Sequence, residues 1–177
     1  MKIEPVLRVL ERLRAPYALI GGYAIAARGF ARSTIDVDLL TTDTRVLDPA
    51  TWSTLVAEGA HVDCRRGDAE DPLAGVARIE LPDSIPVDVI LARWKWQEAV
   101  ITRAQTVSIG SLRLPVPLAS DLILLKLAAG GALDLRDAGA LLAVGNRESL
   151  MAEVEQRLSD VGPDARDVWR QVLAMEP

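Results

Sequence analysis

Short apolar runs and helical patterns interleave as far as Pro115, and the pattern after Pro117 is helical only. Apolar runs, several of which alternate with polar residues, are typical of strands bounded by turn residues. Helices are bounded instead by proline at their starts and by glycine at their ends. We predict strands over residues 17–20, 35–41, 61–65, 75–81 and 87–91, helices over residues 3–13, 22–28, 49–58 and 94–104, and a hairpin over residues 106–115 that turns at Gly110-Ser111.

The last third of the chain carries four helical patterns, which turns with glycine or proline separate. We predict these helices over residues 118–129, 134–143, 147–159 and 163–175. Interleaved strands and helices favour an α/β (α+β) core on which the later helices pack. We place the core at residues 1–116 and the helical region, which closes one side of a cleft, at residues 117–177.

One predicted strand carries two aspartates in an alternating pattern. In the segment IDVDLL at residues 35–40, a strand would place Asp36 and Asp38 on one face and the apolar residues on the other. Two carboxylates that converge to about 4 Å repel each other by about 4 kcal/mol at an effective dielectric near 20, so a cation should compensate them. Arg32 could serve, but carboxylates are the usual ligands of Mg²⁺, which also takes oxygens from waters and substrate phosphates. A solvent-facing strand edge is the alternative interpretation.

A glycine pair, Gly21-Gly22, stands between the strand and the helix that precede these aspartates. Glycine lets the backbone approach a ligand closely. The unpaired N–H groups of the first helical turn, at the positive end of the helix dipole, favour an anion such as a triphosphate. A plain turn is the alternative interpretation.

Together these residues resemble the signature of the nucleotidyltransferase superfamily with the DNA polymerase β-like fold, a Gly-Gly or Gly-Ser turn followed by an Asp-x-Asp strand. The matching residues are Gly21, Gly22, Asp36 and Asp38. The segment RSTIDVDL at residues 32–39 is more narrowly similar to the AbiEii group of nucleotidyltransferase toxins and its bacterial relatives. Lincosamide and aminoglycoside nucleotidyltransferases carry similar segments.

The resemblance implies a polymerase β-like core with a mixed sheet, a C-terminal helical region and a third carboxylate on a later strand. Asp88, in an alternating apolar segment, is the candidate, and a strand-edge aspartate beside Pro86 is the alternative interpretation. As the resemblance implies, Asp36, Asp38 and Asp88 are the catalytic residues and the ligands of two Mg²⁺ ions, or of Mn²⁺. Asp88, or a carboxylate beside it, would also position or deprotonate the acceptor hydroxyl.

The toxin group also has a helix with a lysine, followed by an Asp-x-x-Asp helix, which Lys126 and then Asp134 and Asp137 match. The helical neighbours of Lys126 are apolar, so its amine would gain from a nearby phosphate or carboxylate, and snorkelling to water is the alternative. For the two aspartates we favour helix capping. The residues that the resemblance assigns to the nucleoside triphosphate are Gly21, Gly22, Arg32, Thr34 and Lys126.

The activity that the resemblance implies is transfer of a nucleoside monophosphate from a nucleoside triphosphate to a hydroxyl of RNA such as tRNA, of a protein or of a small molecule. The protein could then be the toxin of a toxin–antitoxin pair, with a cognate antitoxin as its partner. Leu133 departs from the family pattern, which usually has a basic residue there, so phosphate contact by that helix stays open. The alternative function is a catalytically inactive protein of this fold that binds a nucleotide or a protein.

Composition narrows the function classes. The 177 residues, of which 50% are hydrophobic and 25% charged, fit one globular unit. A net charge of −5 argues against broad nonspecific binding of nucleic acid, although a local RNA site stays open. The chain has one cysteine, Cys64, and one histidine, His61, which argues against an intrachain disulfide and against a Cys/His zinc site. The N-terminus lacks a signal-peptide pattern and no apolar run could span a membrane, so we expect a cytoplasmic protein without a membrane segment.

Overall fold

A five-stranded mixed sheet forms the centre of the computed structural model, which describes residues 2–68 and 73–175. Its middle strands pair in parallel and all other neighbours pair antiparallel. A separate hairpin closes at Gly110, whose φ is +60°. The sheet order is β1 (Tyr17–Ile20), β2 (Val37–Thr41), β5 (Val87–Leu91), β4 (Gly75–Glu80) and β3 (His61–Arg66), and the hairpin strands are β6 (Gln105–Ile109) and β7 (Leu112–Val116).

Eight α-helices lie among the described residues, and the last four follow one another after the hairpin, as predicted. The predicted helix at residues 49–58 is wrong in part, because it is a 3₁₀ turn, Pro49–Trp52, that continues into a short α-helix. The fully buried Trp52 indole N–H donates to the Val46 carbonyl at 2.8 Å and holds this tight turn. The helices are α1 (Glu4–Leu13), α2 (Gly21–Ala27), α3 (Ser53–Ala57), α4 (Lys95–Thr102), α5 (Ala119–Ala129), α6 (Ala132–Val144), α7 (Arg147–Val161) and α8 (Ala165–Ala174).

The two faces of the sheet differ in what covers them. Val37 and Leu39 of β2 are fully buried in the main hydrophobic core, which also includes α1 and the C-terminal helices. Asp38 and Leu40 alternate with them and lie on the opposite face. Leu40 packs there with Val100 of α4 in a second, smaller apolar cluster. Helix α4 therefore covers this face at Leu40 and leaves Asp38 at the edge of the covered region.

The C-terminal helices are joined to α4 through a buried carboxylate. Asp121 of α5 is fully buried and accepts hydrogen bonds at 2.7 Å from both Arg103, at the end of α4, and Arg157 of α7. Such a pair of cations offsets the desolvation of one buried charge. The main hydrophobic core includes residues on both sides of position 116, and the division into a core and a helical region stays a prediction.

No helix among the described residues combines the length and the apolar character that crossing a bilayer requires. The cytoplasmic location stays a prediction.

Candidate active site

The three predicted aspartates meet at the N-terminal ends of two parallel strands. Asp38 of β2 lies opposite Asp88 of β5, and Asp36 directly precedes β2. One carboxylate oxygen of each lies within 4.8 Å of those of the other two. Three hard oxygen donors at this spacing match the ligands that Mg²⁺ and Mn²⁺ take in proteins.

Asp36 lies outside the strand in which the alternation placed it. The ladder begins one residue later, where the Val37 N–H donates to the Pro86 carbonyl at 2.9 Å. Thr34 holds the Asp36 carboxylate instead, because its hydroxyl donates to Oδ1 at 3.0 Å. Thr34 therefore orients a candidate metal ligand, and its contact with a nucleotide stays a prediction.

Close packing against Asp38 and Thr34 requires glycine at positions 21 and 22. Helix α2 begins at Gly21, whose φ of +64° is in the left-handed region. A Cβ added there would lie 1.9 Å from Asp38 Oδ2, and one added at Gly22 would lie 2.7 Å from the Thr34 Cβ. The backbone of this turn therefore packs directly against the carboxylate and the threonine of the aspartate cluster. Both N–H groups lie in the first helical turn, where backbone donors lack partners within the helix.

The environment of Asp38 disfavours its charged form. The pKa of this carboxyl is raised from 3.8 to about 6, first by burial and then by the charges of Asp36 and Asp88. Lys126 and Arg32 act in the opposite direction without cancelling these effects. A bound cation would reverse this balance, since an opposite charge favours the ionised carboxylate.

Arg78 contacts the third aspartate, and sequence reasoning missed it. Arg78 of β4 lies opposite Asp88 in the antiparallel pair with β5, and its Nη1 donates to Oδ2 at 2.8 Å and to Oδ1 at 3.1 Å. Burial raises the pKa of Asp88, and the Arg78 charge lowers it in part. The sequence does show an arginine in an alternating strand. It does not show that this arginine contacts Asp88, because the contact depends on the register of β4 against β5.

The two predicted phosphate-binding cations meet at one buried carboxylate. Asp137 of α6 is 1% exposed, with Oδ1 at 2.9 Å from Arg32 Nε and Oδ2 at 3.2 Å from Lys126 Nζ. The helix-capping interpretation is therefore wrong for Asp137. Asp134 does cap α6 by accepting from the Gly131 N–H at 3.2 Å, and it also lies 2.7 Å from Lys126 Nζ.

Asp137→Asn is expected to lower the free energy of unfolding by about 3 kcal/mol, because it leaves two partly buried cations short of a counter-charge. Urea denaturation measures this effect. Asp134→Asn is the matched control on the same helix: asparagine can still accept from the Gly131 N–H, and only the partly exposed pair with Lys126 is lost, so the loss should be about 1 kcal/mol. Equal losses in the two variants would contradict the role assigned to Asp137.

An apolar cavity of about 240 Å³ opens beside Asp38, between the sheet and helices α4 and α5. Gly21, Asp38 and Lys126 line its polar end. The rest of its wall is mainly aliphatic and includes Leu40, Ile90, Leu122 and Leu125. A small pocket of this kind next to perturbed titratable groups is typical of a ligand site.

Solved structures share this arrangement of strands and helices, whereas no family model matches the chain and no curated protein matches its sequence. ANT(2'')-Ia in complex with adenylyl-2''-tobramycin aligns with a TM-score of 0.55 and 19% identity over 88% of this chain and 95% of that one. The lincomycin-bound lincosamide adenylyltransferase LnuA aligns with a TM-score of 0.51 and 11% identity over 81% of this chain and 96% of that one. TM1012 of Thermotoga maritima, assigned as a nucleotidyltransferase, aligns with a TM-score of 0.50 and 15% identity over 88% of this chain and 93% of that one.

The chain has the nucleotidyltransferase fold. This confirms the predicted α/β core with its mixed sheet and C-terminal helices. At identities below 20% the likeness concerns the fold, and the narrower AbiEii resemblance stays a prediction.

Proposed function

We propose that this protein is a metal-dependent nucleotidyltransferase that moves a nucleoside monophosphate from a nucleoside triphosphate to an acceptor hydroxyl. The observation that carries this proposal is the meeting of Asp36, Asp38 and Asp88 within 4.8 Å of one another. A nucleotidyltransferase fold and a cavity that begins at Asp38 support it.

The aspartate cluster fits Mg²⁺ or Mn²⁺ by its chemistry. All three donors are carboxylate oxygens, and the pKa of Asp38 is raised first by burial and then by the charges of Asp36 and Asp88, which Lys126 and Arg32 do not cancel. Two divalent ions bound at such a cluster supply electrostatic stabilisation to the attacking and leaving oxygens of an in-line displacement.

The chain's own residues then have distinct tasks. The backbone at Gly21 and Gly22 brings N–H groups to the triphosphate, and Arg32 and Lys126 offset its charge. Asp88 receives the proton of the acceptor hydroxyl as that oxygen bonds to the α-phosphorus. The bond from the α-phosphorus to the bridging oxygen breaks, and pyrophosphate leaves.

The acceptor hydroxyl belongs to RNA such as tRNA, to a protein or to a small molecule. The AbiEii resemblance supports RNA or protein and a role as the toxin of a toxin–antitoxin pair, with an antitoxin as partner. The likeness to ANT(2'')-Ia bound to adenylyl-2''-tobramycin and to lincomycin-bound LnuA supports a small molecule.

Label transfer from α-labelled nucleoside triphosphates tests the proposal. The purified protein is incubated with Mg²⁺ and, separately, with total RNA, with cell protein and with a small-molecule extract. We expect label in one of the three fractions, which identifies the acceptor class, and none when a chelator replaces Mg²⁺. No label in any fraction, despite nucleotide binding, would contradict transfer.

That second result would support a nucleotide-binding protein without transferase activity, which one contact favours. Arg78 engages both oxygens of Asp88, the residue that must accept the proton. The Arg78 charge makes Asp88 a weaker base than it would be without this arginine, although burial still raises the Asp88 pKa above its usual value.

A further inference from the structure

Given the function proposed above, we propose that Gln97 selects nucleotides whose base carries an exocyclic carbonyl oxygen and discriminates against adenine. Gln97 lines the cavity beside Asp38, and only its amide oxygen has hydrogen-bond partners among the described residues.

The cavity is suited to the base of a bound nucleotide. Its polar end at Gly21, Asp38 and Lys126 coincides with the residues proposed to hold the triphosphate. The opposite wall is aliphatic, with Leu40 and Ile90 of the sheet and helix α5 facing it, and the base is the flat, least charged part of a nucleotide. At about 240 Å³ the cavity lies below the range of roughly 300–1,000 Å³ typical of drug-sized ligands, so a single ring system fits better than a whole acceptor.

Gln97 is the buried polar side chain of α4 in this wall, and its orientation is fixed. It is 3% exposed. Its Oε1 accepts the backbone N–H of Arg93 at 2.8 Å and that of Trp94 at 2.9 Å. An amide nitrogen cannot accept hydrogen bonds, so these two donors exclude the flipped side chain.

The Gln97 NH₂ group therefore remains as a donor at the cavity. Within residues 2–68 and 73–175 it makes no hydrogen bond. This nitrogen keeps accessible surface at the cavity, so a base that fills the cavity shields it from water and leaves it unpaired unless the base supplies an acceptor. Lys126 also presents only donors, and Asp38 belongs to the aspartate cluster, so the cavity offers hydrogen bonds mainly to acceptors.

The bases differ in the group that would meet this donor. Guanine and hypoxanthine carry a carbonyl oxygen at position 6, and uracil carries one at position 4. Adenine has an amine at position 6, so in the same pose two donors would face each other and the shielded Gln97 donor would stay unpaired. We expect discrimination of at least about tenfold between the 6-oxopurines and adenine.

Gln97→Glu is a sharp test because the two side chains have the same shape. Glutamate keeps one oxygen for the N–H groups of Arg93 and Trp94 and presents a second oxygen, an acceptor, to the cavity. Gln156→Glu makes the same chemical change at an exposed position of α7 and is the matched control. The measurement is calorimetric binding of α,β-methylene analogues of ATP, GTP and ITP in the presence of Mg²⁺.

Wild type and Gln156→Glu are expected to bind the GTP and ITP analogues at least about tenfold more tightly than the ATP analogue, and Gln97→Glu should remove or reverse this preference. Equal affinity of the wild type for all three analogues would overturn the proposal by itself. The proposal can therefore be tested even if the Gln97→Glu protein does not fold. An unchanged preference in a folded Gln97→Glu protein would overturn it too. Failure of the proposed function gives a different result: a protein that binds no nucleotide would bind none of the three analogues, and a protein that binds nucleotides without transferring them would keep the preference and fail only in the label-transfer assay.

Discussion

Asp38→Asn is expected to abolish nucleotidyl transfer. Asp38 lies between the glycine turn and Asp88. Divalent ions supply several kcal/mol of stabilisation to a phosphoryl transition state, and a loss of about 4 kcal/mol corresponds to about a thousandfold in rate. Initial rates of label transfer measure this loss. Asp160→Asn, at an exposed position outside the cluster, is the control and should keep the wild-type rate.

The same substitution is expected to stabilise the metal-free protein at neutral pH. The Asp38 pKa is raised from 3.8 to about 6, so between these values the unfolded chain releases this proton while the folded chain retains it. The contribution of Asp38 to the free energy of unfolding therefore falls by about 3 kcal/mol at most as the pH rises from 3.8 to about 6. Asparagine does not ionise, so the advantage of the variant should be small near pH 4, grow up to pH 6 and stay constant above it.

Urea denaturation in the presence of a chelator, at pH values from 4 to 8, measures this difference. An Asp38→Asn protein that is less stable than the wild type at pH 7.5 would show that Asp38 has a structural role. Added Mg²⁺ should stabilise the wild type above pH 6 and leave the variant unchanged, since binding to the folded state alone raises stability.

Gly21→Ala is expected to damage both stability and transfer, since the added Cβ would lie 1.9 Å from Asp38 Oδ2. The carboxylate would have to move away from the cluster. Backbone strain adds to this effect, because an alanine at a φ of +64° costs about 1–2 kcal/mol. We expect a total loss of about 3 kcal/mol in unfolding free energy, together with most of the transferase activity.

Gly110→Ala separates the two causes. Gly110 has nearly the same backbone conformation, with φ of +60°, but no atom within 4 Å of an added Cβ. It should therefore lose about 1–2 kcal/mol from strain alone and retain full activity. Equal losses of stability in the two variants, with transfer intact in Gly21→Ala, would contradict close packing of the glycine turn on Asp38.

The sequence predicted the elements well where the signal was local. Alternation identified the strands that carry Asp38 and Asp88, and glycine and proline marked the ends of the last four helices. The predicted strand began at Ile35, two residues before β2, because alternation alone does not show where a ladder begins. The Val37 pairing with the segment before β5 decides that point.

The contacts that define the site depend on distant parts of the chain. Arg78 reaches Asp88 through the β4–β5 register, and Asp137 lies between two cations that precede it by 105 and 11 positions. In the sequence, nothing distinguishes Gln97 from other polar residues near the start of a helix. Its importance comes from the hydrogen bonds that fix its amide at the cavity.

A nucleotidyl transferase and a phosphotransferase leave different parts of the nucleoside triphosphate on the acceptor. Parallel reactions with α-labelled and γ-labelled nucleoside triphosphate, Mg²⁺ and the responsive acceptor fraction distinguish the two. We expect α-label on the acceptor, γ-label in pyrophosphate, and neither product with Asp38→Asn. Transfer of the γ-label to the acceptor, or unchanged α-transfer by Asp38→Asn, would contradict nucleotidyl transfer by the aspartate cluster.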